Sequence, residues 1–175
     1  MRSPANNANV KKLALASGLL RRGSTLLLVR SRYPEEPEPL WTLPGGRQKP
    51  GEMLVQTLVR EFQEETSLSI RAGDLAYVSE SVDDEAALHV VNCTFWAAEH
   101  DSAAVVMPRD PKVVEARFVP ADEALELLRA DVLRIPVSAA LRRGAHVRYY
   151  SFRSEDIAVP FFRDKNRTPR RHRIS

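Results

Sequence analysis

Three glutamates in the first half of the chain, Glu61, Glu64 and Glu65, stand at positions i, i+3 and i+4. On a helix that spacing projects all three from one face. Like charges so placed repel by roughly 0.2–0.5 kcal/mol per pair in an isolated helix, and Glu52 just upstream adds to the negative field. Arg60 can neutralise one of them. A hard divalent cation, which demands oxygen ligands, would offset the rest and give the arrangement a purpose. Such an ion can also orient a water and lower its pKa. For a helix standing alone, the alternative is an acidic face that is merely solvated.

The elements around these residues decide whether they can meet. Pro50-Gly51-Glu52 opens a stretch from Met53 to Ser67 without Pro or Gly, which predicts a helix. Leu54, Leu58 and Phe62 recur every four residues with Val55 and Val59 beside them, an apolar stripe that packs on a sheet and leaves the carboxylates on the opposite side. Upstream, Leu13 to Leu20 and Thr25 to Arg30 read as a hairpin across Arg22-Gly23-Ser24. Tyr33 to Leu40, where prolines alternate with glutamates, is a loop, and Pro44-Gly45-Gly46 a further turn. Downstream, Ile70, Leu75 to Ser81, Leu88 to Trp96 and Val113 to Val119 read as strands, with a loop through Asp83-Asp84-Glu85. A second amphipathic helix starts at Pro120-Ala121-Asp122 and ends near Ala130, and the pattern does not determine the elements from Ile135 onward. Strands outnumber helices and no internal repeat divides the chain, so the fold class is α+β with helices packed on a mixed sheet.

A chain of 175 residues, 43% apolar and 28% charged, is of ordinary single-domain size. Cys93, the lone cysteine, lies in the apolar stretch Val90 to Trp96 and reads as a small core residue. No apolar run reaches the length of a membrane span or a signal peptide, so the expectation is a cytoplasmic protein with no membrane partner. The net charge of +3 hides an asymmetry: residues 142–175 carry ten Arg or Lys against three acidic residues, +7, leaving −4 on the rest. A basic tail can attract polyphosphate or RNA, but no aromatics interleave it after Phe162, which favours a solvated terminus. The organisation expected is an extension at 1–11, one domain at 12–150 and a basic tail at 151–175.

Gly46, five residues, Glu52, seven residues, Arg60-Glu61-Phe62, Glu64-Glu65 and Ser67-Leu68 together resemble the box of the Nudix hydrolases at eight of its nine specified positions. Ser67 replaces a glycine just past the helix, where a left-handed cap conformation is natural for glycine and costlier for serine. The resemblance implies an α/β/α sandwich with a mixed sheet, whose box holds Mg²⁺ or Mn²⁺ against a diphosphate linkage. Glu61 and Glu65 would then be metal ligands, Glu64 a further ligand or water-mediated partner, and Glu52 an assisting carboxylate. Arg60 would orient the glutamates, and the Gly46 carbonyl would face the metal. The general base would be Glu61 or a loop glutamate, for which Glu115 is the second candidate.

Subgroups of the family acting on ADP-ribose and diadenosine compounds place a proline or tyrosine at a set distance beyond the box, where this chain has Asp84, Glu85 and Ala86. The default substrate is therefore a nucleoside di- or triphosphate or a related nucleoside diphosphate derivative. Tyr33, Trp41, Tyr77, Phe95 and Trp96 are candidate base-stacking residues, and the four histidines show no ligand spacing. Processing of RNA 5′ ends, using the basic tail, is the alternative activity, and a non-catalytic nucleotide-binding regulator is the third reading. Exposed strand edges and family habit favour a homodimer.

Overall fold

The computed structural model describes residues 10–33, 36–84, 86–142 and 146–153. Eight strands and three helices follow one another as β1 (Lys11–Arg22), β2 (Thr25–Ser31), β3 (Leu40–Thr42), β4 (Gly45–Arg47), α1 (Leu54–Thr66), β5 (Ile70–Asp83), β6 (Leu88–Glu99), β7 (Val113–Pro120), α2 (Ala121–Leu127), α3 (Asp131–Ala140) and β8 (Arg148–Arg153). The strands form one mixed sheet in the order β3-β2-β1-β6-β5-β8, with β4 paired to β1 and β7 to β2. Only β1 with β6 and β5 with β8 run parallel.

The expected hairpin exists but is short. Only Arg21 with Leu26 and Arg22 with Thr25 pair between β1 and β2. Before that corner β1 leaves β2 and runs beside β6 from Lys11 to Leu20, while its other edge takes β4 at Leu15 to Ser17. The segment expected as a turn at Pro44-Gly45-Gly46 is thus partly a strand, and that pairing carries the glycines onto the sheet.

Alternate residues of a strand face opposite sides of a sheet, and β1 and β2 show it. Ala16, Leu20 and Leu27 pack with Leu58 and Phe62 of α1. Leu19, Leu26 and Leu28 pack with Ala124, Leu128 and Val137 from the region of α2 and α3 on the other face. Helices therefore cover both faces, giving the α/β/α sandwich. Leu58 and Phe62 are 0% exposed, and full burial of such a side chain contributes about 1.5–3 kcal/mol. Val55 and Val59, expected in the same stripe, are exposed instead, because each sits one residue, about 100°, round the helix from Leu54 and Leu58.

Two elements have no counterpart in the sequence pattern. Helix α3 contains Pro136, which removes a backbone donor from the helix interior. Burial of Val132, Pro136 and Val137 offsets that loss. Strand β8 lies along β5 and passes through residue 150. No helix among the described residues is long and apolar enough to cross a membrane.

Candidate active site

Arg60 organises the carboxylates. Its Nε donates to Glu52 Oε1 at 2.7 Å and its Nη2 to Glu52 Oε2 at 3.1 Å, a bidentate fork. Nη1 donates to Glu61 Oε1 at 2.7 Å and to Glu64 Oε2 at 3.3 Å, and Nη2 also reaches the Arg47 carbonyl at 3.1 Å. One side chain thereby ties the entrance of α1, its middle and the end of β4. Glu52 is held from the other side by the Lys49 N–H at 3.0 Å and the hydroxyl of buried Thr57 at 2.9 Å.

Glu65 is turned toward the sheet, accepting from the Gly45 N–H at 2.8 Å. At 8% exposure it flanks the buried stripe of α1 rather than opposing it, which corrects the expectation that the carboxylates all lie opposite the packed face. Gly46 lies close against Glu61: a Cβ there would lie 2.5 Å from Glu61 Oε1, so the carboxylate would have to shift. Gly45 has φ +147, and a Cβ there would meet the Ala16 carbonyl oxygen at 2.3 Å. The two glycines let β4 slide between β1 and the carboxylates. Glu61, Glu64, Glu65, Arg60 and both glycines line one cavity of about 750 Å³.

The electrostatics divide the four acids. The Arg60 fork, aided by the Lys49 N–H, holds Glu52 at a pKa of about 2, so it is a fixed negative charge. Burial pushes Glu61 up, against the pull of Arg60. Burial pushes Glu65 up much further, and the Gly45 N–H only partly opposes it. Among the described residues Glu65 has no ion-pair partner, whereas Lys49 lies 3.7 Å from Glu64. As placed, no three acidic, thiol or imidazole groups among the described residues stand at metal-holding spacing; Arg60 occupies the space among Glu52, Glu61 and Glu64. The donor set nonetheless fits a hard cation. It consists of carboxylate oxygens, one of them on a buried acid with no counter-charge, beside a glycine that leaves room for an ion.

The family model of the NUDIX domain matches residues 12–141, most of the chain. The chain belongs to the Nudix family. Solved structures agree at the level of the fold. The mutator MutT protein from Bacillus halodurans is 22% identical with a TM-score of 0.65, over 81% of this chain and 89% of that one. A MutT Nudix hydrolase from Burkholderia pseudomallei is 25% identical with a TM-score of 0.57, over 73% and 97%. A Nudix hydrolase from Nitrosomonas europaea is 20% identical with a TM-score of 0.65, over 79% and 78%. No curated protein matches the chain significantly.

Within this Nudix domain, Ser67 adopts the left-handed conformation that the box glycine would take, with φ 60. Its hydroxyl donates to the Met107 carbonyl at 2.5 Å. The loop between β6 and β7 then runs along the end of α1, where the Met107 N–H donates to the Thr66 carbonyl at 2.9 Å and the Arg109 and Asp110 N–H groups to the Glu64 carbonyl at 3.0 and 2.9 Å. Two carbonyls at the helix exit, those of Glu64 and Thr66, are satisfied this way.

The structure brings Gly46, Glu52, Arg60, Glu61, Glu64 and Glu65 together. It does not bring Glu115 to them. Glu115 sits on β7 opposite Arg30, 2.8 Å from Arg117, which also holds Glu123 and lies over the Trp41 ring. Its partner Arg117 keeps it on the outer surface, away from the cavity lining. The sequence reading missed Thr57, Asp110 and Lys112. The last two line the cavity from the β6–β7 loop, and nothing in their local sequence signals the loop's path across α1. Of the candidate stacking residues, Tyr33 lines the cavity, whereas Tyr77 is buried in the core. The basic tail from residue 154 onward lies outside the described residues.

Proposed function

We propose that this Nudix protein hydrolyses the diphosphate linkage of a nucleoside di- or triphosphate, or a related nucleoside diphosphate derivative, with Mg²⁺ or Mn²⁺ as cofactor. The observation that carries the reading is the convergence of Glu61, Glu64 and Glu65 on one cavity, with Arg60 clamping Glu61 and Glu64 and with Glu65 buried without a counter-charge. Glu61, Glu64 and Glu65, with the Gly46 carbonyl, would hold the cation, and Glu52 would fix Arg60. When bound, the cation supplies charge neutralisation and a lowered water pKa.

In the reaction a water oxygen bonds to one phosphorus of the linkage and the bond from that phosphorus to the bridging oxygen breaks. The electron pair leaves with the departing phosphate. Glu61, whose pKa is raised by burial, takes the water's proton. Arg60 keeps the Glu61 carboxylate oriented during the transfer.

A panel of nucleoside di- and triphosphates, nucleoside diphosphate sugars and 5′-triphosphorylated RNA tests this reading. Release of a nucleoside monophosphate, inorganic phosphate or pyrophosphate is expected only with Mg²⁺ or Mn²⁺ present. Glu61→Gln and Glu65→Gln are each expected to lower kcat by about 100-fold or more, the scale of one lost transition-state charge contact. Full activity in both variants, or with the metal chelated, sinks the assignment.

A further inference from the structure

Helix α1 carries two buried threonines whose hydroxyls are used differently. Inside a helix a threonine hydroxyl can donate to the carbonyl four residues back, and Thr66 does so, to Phe62 at 2.6 Å. Thr57 has the same option in the Met53 carbonyl, but that oxygen lies at 3.3 Å and Glu52 Oε2 at 2.9 Å. A hydroxyl has one proton, and the shorter contact to a charged acceptor takes it. Thr57 is fully buried and does not line the cavity, so it acts on the site only through Glu52.

Glu52 anchors Arg60 by its Nε and Nη2, while Nη1 of the same guanidinium lies on Glu61 Oε1 and Glu64 Oε2. The planar guanidinium moves as one body, so where Glu52 stands sets how far Nη1 reaches onto those oxygens. A divalent cation needs the same oxygens and must displace Nη1 from them. With Glu52 fixed, Arg60 stays gripped at its other edge and Nη1 yields its place. With Glu52 loose, carboxylate and guanidinium shift together toward Glu61 and Glu64 and compete with the ion. The Lys49 N–H belongs to the turn before Glu52, whereas Thr57 ties the carboxylate to the body of α1. We infer that Thr57 is a positioning residue: its hydroxyl fixes Glu52, so that Arg60 is held back and Glu61 and Glu64 stay open to the cation. This rests on the hydrolase reading above.

The test titrates Mn²⁺ into the full chain, alone and with a non-hydrolysable nucleoside triphosphate, and follows the free-ion paramagnetic resonance signal. Thr57→Val keeps the shape of the side chain and removes the hydroxyl, and Thr57→Ala is the second variant if the valine protein folds poorly. Thr57→Ser keeps the hydroxyl, and Thr66→Val deletes the other buried threonine hydroxyl of α1 as a control. The Mn²⁺ dissociation constant is expected to rise about tenfold in Thr57→Val and Thr57→Ala, as for loss of a contact that orients a metal site from outside it. It is expected to stay within about twofold of wild type in Thr57→Ser and Thr66→Val, which leave that contact in place. In turnover assays the Mn²⁺ concentration giving half the maximal rate is expected to rise by the same factor, with kcat at saturating Mn²⁺ near the wild-type value. A merely structural role lowers the melting temperature and the rate at every Mn²⁺ concentration without moving either constant. Wild-type affinity in both Thr57→Val and Thr57→Ala, or a Thr57→Ser protein as weak as Thr57→Val, overturns the inference and leaves the hydrolase reading standing. Absence of Mn²⁺ binding in the wild type overturns both.

Discussion

At the residue scale, Glu65 shows most directly how stability and chemistry oppose each other. Its carboxyl is buried, beside other acids and without an ion-pair partner among the described residues, and its pKa is raised well above the ordinary range. Through the pH range above the ordinary carboxylate pKa, the unfolded chain has released this proton and the folded protein still holds it. Stability contributed by Glu65 is therefore present below the unfolded pKa and is lost as pH rises toward the folded one. Metal-free Glu65→Gln is expected to melt a few degrees above the metal-free wild type at pH 8, with a smaller difference at pH 4.5, as read by thermal unfolding. An equal or lower melting temperature for the variant at pH 8 contradicts the burial argument. Glu52 behaves in the opposite sense. Held at about 2 by Arg60, it contributes stability that is present above the ordinary carboxylate pKa and is lost only as pH falls toward 2. The carboxylates were legible in the sequence because spacing alone places them on one helix. Their unequal burial was not, since it depends on β4 lying against α1 through the Gly45 N–H.

At the element scale, the site depends on β4 and the β6–β7 loop more than on α1 itself. Gly45→Ala would drive a Cβ into the Ala16 backbone at 2.3 Å from a left-handed φ. It is expected to cost more than about 2 kcal/mol, a fall of about 5 °C or more in melting temperature. Gly46→Ala meets only the Glu61 side chain, so it is expected to lower activity with a smaller change in melting temperature. If the two substitutions destabilise equally, this division of roles is wrong. Ser67→Gly tests the helix exit: glycine relieves about 1 kcal/mol of left-handed strain but gives up the bond to Met107. Near-cancellation in the melting temperature is expected, together with faster amide exchange at Met107, Arg109 and Asp110. Unchanged exchange at those amides would show that the serine hydroxyl does not hold the loop. Periodicity made α1 legible, and the prolines marked the loop after β2. Strand β8 and helix α3 were not legible, because β8 pairs with the distant β5 and α3 holds together across Pro136 through its buried neighbours.

At the scale of the whole molecule, helices cover both faces of the sheet and the candidate site is a cavity beside α1. There the carboxylate face of α1, the glycine strand β4 and two connecting segments converge. The family and the class of fold could be read from eight matched positions and the alternation of strands and helices. The path of the β6–β7 loop could not, and it decides which charged groups face the helix: Asp110 and Lys112 enter the cavity while Glu115 turns outward to Arg117. All of this hangs on one claim, that the glutamates of α1 hold a cation that in turn grips phosphate oxygens. Titration of Mn²⁺ into the full chain, followed by the loss of the free-ion paramagnetic resonance signal with a non-hydrolysable nucleotide present, measures it directly. Saturable binding in the wild type that is weakened at least about tenfold in Glu61→Gln and in Glu65→Gln is the expected result. Binding of equal strength in all three proteins, or none in any, would contradict the account.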